Sequence, residues 1–259
     1  MIKKDRTGET SYNDFGSEMV IINYKSSKDV DVYFPAYNWI FYHARYDHFK
    51  NKGIKCPYEK RNCGVGYLGE GKYKSKKEGS KTKCYITWNG MLRRCYDNKC
   101  REKHPTYKKC TVEKDWHNFQ KFGKWFDENY YEIPGERMCL DKDILLKNNK
   151  IYNSTTCIFV PHNINSLFLK TDKLRGNYPI GVSYHKRKHI FVSRCSVFDY
   201  ESKKRKIKYL GEYKTSKDAF NAYKYFKESY VKEVADYYKK QIPNKLYEAM
   251  YSYKVEITD

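Results

Sequence analysis

Two carboxylates and a lysine stand side by side where an apolar run ends. Asp141, Lys142 and Asp143 close this run, a polar turn follows at residues 147–150, and a second apolar run ends at Val160. Hard oxygen ligands such as a carboxylate suit Mg²⁺, and a loop between two strands leaves positions open for water and a phosphate. Because Asp141 and Asp143 are two residues apart, both face the same side of a strand. The spacing predicts a site for one divalent ion. The alternative for Asp143 is that it caps a turn or pairs with a lysine.

The lysine between the two carboxylates has a different predicted role. A charged ammonium group has no lone pair with which to accept a proton, so Lys142 acts as a general base only if its surroundings remove that charge. The prediction for Lys142 is therefore electrostatic. It binds the scissile phosphate of a substrate while a metal-bound water supplies the nucleophile.

This stretch resembles the HNH nucleases, in particular the homing-endonuclease branch found in phages. The resemblance is carried by Leu140-Asp141-Lys142-Asp143, Asn149, Tyr152-Asn153-Ser154, Cys157 and Phe159-Val160-Pro161. It implies a ββα-metal core that holds one Mg²⁺ or Mn²⁺ through Asp141, Asp143 and Thr156, with Asn149 in the catalytic set. In the HNH pattern a His general base stands at the position of Lys142, and a His or Asn ligand stands at the position of Thr156. His162, directly after Pro161, is the candidate for the missing base, because the helix that follows should pass close to the metal.

The overall charge indicates the partner. The chain has 52 Lys and Arg against 31 Asp and Glu, a formal charge of +21, and 28 tyrosines that can stack on bases. Such a surplus attracts a polyanion, so double-stranded DNA is the predicted partner, with a merely solvated basic surface as the alternative. The absence of a long apolar run or a signal-peptide start predicts a protein without membrane contact, located in the cytoplasm of the host cell if a phage encodes it. The 9 cysteines form no C-x-x-C pair, so free thiols are expected rather than structural zinc.

The elements that must position these residues suggest an α+β protein of three domains. Residues 1–75 contain short runs rich in β-branched and aromatic residues, which predict a small β-barrel-like module that serves as a phosphate-contacting accessory or as a scaffold. Residues 69–83 contain glycines, serines and lysines and predict a flexible basic linker. Residues 76–172 are the predicted nuclease core, and residues 173–259 are the predicted DNA-binding domain, with a boundary at 173–177.

Two aromatic stripes precede the carboxylates. They recur at helical spacing and predict buried helix faces. Their sequence patterns, W-x-x-M-x-x-R-C-Y and then W-x-x-F-x-x-F-x-x-W, also resemble the region before the metal motif in the phage HNH branch. The residues concerned are Trp88, Met91, Arg94-Cys95-Tyr96, Trp116, Phe119, Phe122 and Trp125.

The C-terminal part reads as three strands followed by a helix that Thr215 caps. Gly181-Val182, Tyr209-Leu210-Gly211, Tyr213, Thr215, Asp218-Ala219 and Ala222-Tyr223 resemble the APETALA or ethylene-response-factor DNA-binding domain, and a helical tail follows. That resemblance implies a sheet lying in the major groove of DNA, with Arg194 as the side chain that reads a base and the lysines on phosphates. The predicted outward DNA-binding residues are Tyr184, Lys186, Arg187, Arg194, Lys206, Lys208 and Tyr209.

Two functions are compatible with this reading. The first is a metal-dependent DNA endonuclease of the homing type, whose C-terminal sheet selects the site and whose central motif hydrolyses a phosphodiester. The second is a DNA-binding regulatory or anti-defence protein built on a catalytically impaired HNH frame, because the residues at positions 142 and 156 depart from the pattern.

Overall fold

The computed structural model describes residues 5–168, 178–199 and 204–259 of the chain. Helices and strands are mixed along it, with several small sheets, which confirms the mixed helix-and-strand class. Short 3₁₀ turns lie at Pro35–Tyr37, Pro105–Tyr107 and Lys114–His117. The other elements, in chain order, are β1 (Thr10–Tyr12), β2 (Glu18–Ser26), β3 (Asp29–Phe34), β4 (Trp39–Ala44), α1 (Tyr46–Lys50), β5 (Lys76–Lys77), β6 (Ser80–Lys81), α2 (Lys83–Tyr96), α3 (Asn98–Lys103), β7 (Thr111–Val112), α4 (Phe119–Asn129), β8 (Met138–Asp141), β9 (Ile151–Tyr152), β10 (Ile158–Pro161), α5 (His162–Asn165), β11 (Val182–His185), β12 (Ile190–Asp199), β13 (Lys204–Tyr213), α6 (Ser216–Tyr238) and α7 (Asn244–Tyr251).

The chain divides into two compact units. The N-terminal unit is Met1–Glu128 with Lys150–Asn153, and the C-terminal unit is Asn129–Asn149 with Ser154–Asp259. These limits differ from the three predicted domains, which stay a prediction, and the predicted boundary at 173–177 lies outside the described residues. Across the described ranges, no helix is both long enough and apolar enough to cross a membrane.

The N-terminal unit begins with an open antiparallel sheet in the order β1-β2-β3-β4. The prediction of a β-barrel-like module is wrong, because none of the described sheets closes into a barrel and β1 and β4 remain the two edges of this one. Strands as short as the three residues of β1 give a sheet too small to curl round and pair its own edges. Buried side chains of the sheet pack with α1 into one core. The core contains Met19 and Ile21 of β2, Val32 of β3 and Phe49 of α1.

The predicted aromatic stripes are confirmed as core. Trp88 and Met91 of α2 and Phe119 and Phe122 of α4 are all completely buried. The indole N–H of Trp88 donates to the carbonyl of Trp116 at 2.7 Å, so the one polar atom of this ring is satisfied inside the core.

The predicted linker at 69–83 contains ordered structure. Strands β5 and β6 form a short hairpin, and the backbone N–H of Tyr73 donates to Gln120 at 3.0 Å. A Cβ added at Gly123 would lie 2.4 Å from the Tyr73 ring, so the absence of a side chain at Gly123 is what allows the ring to pack on α4. The segment packs on α4 through the single ring of Tyr73. The lysines and glycines around this ring dominate the composition, so the composition predicted a connector.

The C-terminal unit contains the predicted carboxylates. Strands β8 and β10 pair antiparallel, with Asp141 opposite Ile158, and α5 follows β10 directly. Ile158 and Val160 alternate into a core with Val231 and Val234 of α6, so the long helix supports this strand pair.

The same unit contains the predicted three strands and capped helix. Strands β11, β12 and β13 form an antiparallel sheet, and the Thr215 side chain accepts a hydrogen bond from the Asp218 N–H at 3.1 Å at the start of α6. Gly181 has φ +78°, and a Cβ there would lie 2.0 Å from the Tyr223 ring, so both the backbone conformation and the packing require glycine.

Candidate catalytic cluster and nucleic-acid interface

Asp141 is the last residue of β8, and its carboxylate turns back on the chain. Oδ1 accepts the backbone N–H groups of Asp143 and Ile144, each at 2.8 Å. Burial, and next the charge of Asp143, raise the pKa of Asp141 to about 6, although the two backbone hydrogen bonds oppose this. The Asp141 carboxylate thus caps a turn. It also lies close enough to the Asp143 carboxylate for the two negative charges to repel one another.

Lys142 points into the protein rather than toward a substrate. Its side chain is 6% exposed, against 42% for Asp143, and its ammonium group donates to Asp143 Oδ2 at 2.8 Å and to the Asn149 carbonyl at 2.9 Å. The ion pair with the Asp143 carboxylate favours the charged ammonium, which has no lone pair to accept a proton. In this arrangement Lys142 fixes the loop and the Asp143 carboxylate.

Asn149 closes the loop between the two strands. Its Nδ2 donates to the Lys142 carbonyl at 2.7 Å and to Thr156 Oγ1 at 2.9 Å. One hydrogen-bonded network, which we call the carboxylate cluster, therefore brings together five of the predicted site residues: Asp141, Lys142, Asp143, Asn149 and Thr156.

We expect Asn149→Ala to destabilise the C-terminal unit by about 1–3 kcal/mol, because the Lys142 carbonyl and the Thr156 hydroxyl lose their amide partner. Urea unfolding followed by circular dichroism measures the change. Asn148→Gly is the matched control: Asn148 has φ +66°, which glycine adopts without strain, so this variant should unfold close to wild type. Equal loss of stability in both variants would contradict a specific role for the Asn149 amide.

His162 does not lie in the carboxylate cluster. Pro161 pairs with Met138 and Ile158 pairs with Asp141, so His162 follows the end of the strand pair opposite Asp141, roughly 10 Å or more along a ladder that rises about 3.3 Å per residue. The ring Nδ1 accepts from Arg137 Nη2 at 2.9 Å. Burial, together with the positive charges of Arg137 and Arg205, lowers the pKa of His162. The ring is therefore neutral at pH 7, and its place as the missing base stays a prediction.

The register of β12 and β13 sorts the predicted DNA-binding residues by face. Directly paired residues share one face of an antiparallel sheet. Arg194 pairs with Tyr209, and both are exposed. Cys195 pairs with Lys208, and this pair belongs to the face that α6 covers, since Cys195 is buried and the Lys208 ammonium lies 4.7 Å from the Phe226 ring centroid. The outer face is thus the one that carries Arg194 and Tyr209.

The remaining predicted residues lie elsewhere. Lys206 pairs with Val197 on the side of α6 and forms an ion pair with Asp199. Tyr184 pairs with Phe191, which packs in the core with α6. Lys186 and Arg187 lie in the turn between β11 and β12.

Sequence reasoning missed two residues of the outer face. Ile207, which pairs with Ser196, is 66% exposed, and Arg205 pairs with Phe198 on the same face. Alternation of side chains along β13 would have found both. Both share the face of Tyr209, since residues two apart along a strand point to the same side.

A further group of ligand-type side chains occurs in the N-terminal sheet. Asp29, Asp31 and His43 each place one oxygen or nitrogen atom within 4.8 Å of the others. His43 Nδ1 lies 3.0 Å from Asp29 Oδ1, and Asp31 Oδ1 accepts the His43 backbone N–H at 3.1 Å. His43 has φ +55°, so these contacts stabilise a left-handed residue in β4. Hydrogen bonding and ion pairing account for the group.

The carboxylate cluster offers oxygen ligands for one divalent ion. Oδ1 of Asp141 and Oδ2 of Asp143 accept hydrogen bonds, and each carboxylate has a second oxygen to offer. The charge of Asp143 contributes to the raised pKa of Asp141, a repulsion that a cation would relieve, and hard oxygen donors suit Mg²⁺ or Mn²⁺. The residues therefore fit such an ion.

Comparison of the chain with family models, curated proteins and solved structures finds no match.

Proposed function

We propose that this protein binds double-stranded DNA through the outer face of the sheet β11–β13. The observation that carries the proposal is the pair of Arg194 and Tyr209, which lie opposite one another on the face away from α6, with Tyr209 55% exposed. A guanidinium makes bidentate hydrogen bonds to guanine, and tyrosine presents a flat apolar ring with a polar tip. The charge of +21 adds the attraction that a polyanion requires.

The other cations of this sheet extend the proposed interface. Lys186 and Arg187 in the β11–β12 turn are exposed and suit contacts with phosphates, which position a protein on DNA without reading its sequence. Lys206 and Lys208 lie on the other side and contribute to the long-range field. The arrangement of three strands on one capped helix is the part that resembles the APETALA-type domain, and a sheet reader in the major groove is the corresponding docking mode.

Fluorescence anisotropy with a 30-base-pair duplex, titrated at several salt concentrations, tests this proposal. We expect the logarithm of the binding constant to fall linearly with the logarithm of salt concentration, with a slope of about −0.9 for each phosphate contacted. Single-stranded DNA of the same length should bind more weakly. No binding to the duplex at low salt would reject the proposal.

We further propose that the carboxylate cluster hydrolyses a phosphodiester of the bound DNA. The specific observation is the strained pair of Asp141 and Asp143 at the end of β8. These two residues would hold one Mg²⁺ or Mn²⁺, with the Thr156 hydroxyl as the third predicted ligand. The ion, when bound, polarises the phosphate and acidifies a water molecule.

The other residues of the cluster position these ligands. Lys142 holds the Asp143 carboxylate and the loop carbonyl, and Asn149 holds Thr156, so both act on the ligands instead of moving a proton. Lys142 thus stands where the HNH pattern has its general base, but its role here is structural. For this reason a DNA-binding protein without cleavage activity is the competing function.

A further inference from the structure

A group of basic and hydroxyl side chains lies at the end of the β8–β10 pair away from Asp141. Arg137 Nη2 donates to His162 Nδ1 at 2.9 Å, and the His162 backbone N–H donates to the Arg137 carbonyl at 2.8 Å. Arg205 donates from Nη2 to Ser166 Oγ, and the Ser166 N–H donates to the His162 carbonyl at 3.0 Å. We call Arg137, His162, Ser166 and Arg205 the basic cluster. Its members come from the segment before β8, from α5 and its C-cap, and from β13.

Among the residues that the structure describes, the basic cluster has more positive than negative charge around His162. In the part of the chain that the structure describes, neither Arg137 nor Arg205 has a carboxylate as ion-pair partner. Glu136 is the neighbouring acid, but its carboxylate accepts from Asn163 Nδ2 at 2.9 and 3.2 Å and from the Tyr238 hydroxyl at 2.6 Å. Two guanidinium groups therefore act on one imidazole, and among the described residues Glu136 is the acid that opposes them.

The pKa of His162 reflects the same excess of positive charge. Its pKa is lowered by burial first, then by Arg137 and Arg205, while Glu136 opposes them. The Cys139 thiol, at 3.8 Å from Nδ1, is the other group that faces the ring. Because Nδ1 accepts from Arg137, the hydrogen of the neutral ring is on Nε2, which is therefore a donor.

We propose that the basic cluster binds one phosphate group of the DNA backbone. The two guanidinium forks and the Nε2–H of His162 are donors, and charged donors to a phosphate oxygen make the stronger class of hydrogen bond, while Ser166, whose hydroxyl donates to the Asn163 carbonyl at 2.6 Å, holds Arg205 in place. The proposal rests on the proposed DNA binding and deepens it, since it names a phosphate contact that orients the duplex rather than reading its bases.

The position of the basic cluster explains what such a contact would do. Arg205 belongs to the outer face of β12 and β13, which carries Arg194 and Tyr209. Arg137 and His162 flank the strand pair whose other end is Asp141. All of these residues belong to the C-terminal unit. A phosphate held here would contact β13 of the sheet and the end of the β8–β10 pair away from Asp141.

Two variants and a matched control test the proposal by the salt dependence of duplex binding. Arg137→Gln and Arg205→Gln should each weaken binding and reduce the steepness of the slope by about 0.9, because each removes one phosphate contact. Lys240→Gln removes an exposed cation after α6, elsewhere in the same unit, and should leave the slope unchanged. If the wild type binds the duplex while the two arginine variants keep its slope, the basic cluster is not a phosphate site and the DNA-binding proposal stands. If the wild type does not bind at all, the proposed function itself fails.

An independent readout uses inorganic phosphate and no DNA. NMR titration of the His162 ring protons should show that phosphate raises the pKa of His162 in the wild type, since an anion replaces the surplus of positive charge that lowers it. Arg137→Gln should abolish this response, and Lys240→Gln should retain it. An unchanged pKa in the wild type at millimolar phosphate would overturn the proposal.

Discussion

Asp141→Asn is expected to abolish Mg²⁺-dependent cleavage of plasmid DNA while leaving duplex binding intact. A coordinated ion supplies several kcal/mol of transition-state stabilisation, so loss of its main ligand should reduce the rate by on the order of 1000-fold. Asparagine keeps an Oδ1 that accepts the N–H groups of Asp143 and Ile144, so the turn is preserved. Nicking of a supercoiled plasmid with Mg²⁺, and with EDTA as the metal-free control, measures the effect. Equal cleavage by wild type and variant would reject Asp141 as a ligand.

The same substitution should also stabilise the folded protein. The pKa of Asp141 is raised from 3.8 to about 6, and one pKa unit corresponds to about 1.4 kcal/mol, so the ionised carboxylate at pH 7 costs roughly 3 kcal/mol, a cost that asparagine avoids. The folded state holds the Asp141 proton up to a higher pH than the unfolded state does. Its contribution to stability therefore falls as pH rises from about 4 to about 6 and is constant above. The difference in unfolding free energy between wild type and variant should follow this curve.

Asp143→Asn is the matched control, and its expected change in unfolding free energy has the opposite sign. It too relieves the repulsion between the carboxylates, but it leaves the buried Lys142 ammonium without its charged partner. We therefore expect lower stability for Asp143→Asn and higher stability for Asp141→Asn in urea unfolding at pH 7. Because asparagine keeps the cap, a gain in stability for Asp141→Asn measures the cost of the buried charge at position 141, which a bound cation would remove.

The sequence predicted those parts of the fold that depend on local periodicity. Trp88, Met91, Phe119 and Phe122 recur at helical spacing, and large apolar side chains at that spacing have few alternatives to burial. The Thr215 cap is equally local, since it joins residues three apart. The barrel was mispredicted because closure depends on whether β1 and β4 meet, and no short stretch of sequence encodes that pairing.

The candidate sites were predicted less completely, for a reason that concerns register. The residue types at 141–156 indicated a cluster, and their neighbours in sequence do form one network. The direction of the Lys142 side chain depends on the Asn149 carbonyl seven residues later, which composition cannot show. On β13, Lys206 and Lys208 lie on one face and Tyr209 on the other, because adjacent strand residues point to opposite faces, which a selection by residue type overlooks.

Arg194→Ala is expected to weaken binding to a preferred duplex by about 1–3 kcal/mol and to relax the preference for one base pair, because a bidentate contact to guanine is lost. The preferred duplex is obtained by selection from a randomised pool with the wild-type protein. Anisotropy titrations then compare it with a scrambled duplex. The loss should be large for the selected duplex and small for the scrambled one, since nonspecific binding depends on phosphates.

Lys208→Ala is the control that makes this experiment informative about the sheet. Lys208 is one residue from Tyr209 and carries the same charge as Arg194, but it lies on the face covered by α6, near the Phe226 ring. Removing it should reduce affinity for both duplexes slightly and equally, through the long-range field alone. If Lys208→Ala instead loses discrimination while Arg194→Ala keeps it, the DNA lies against the other side of the sheet. DNA could reach that side only if α6 moved away from the sheet. The outer face defined by the register of β12 and β13 would then not be the interface.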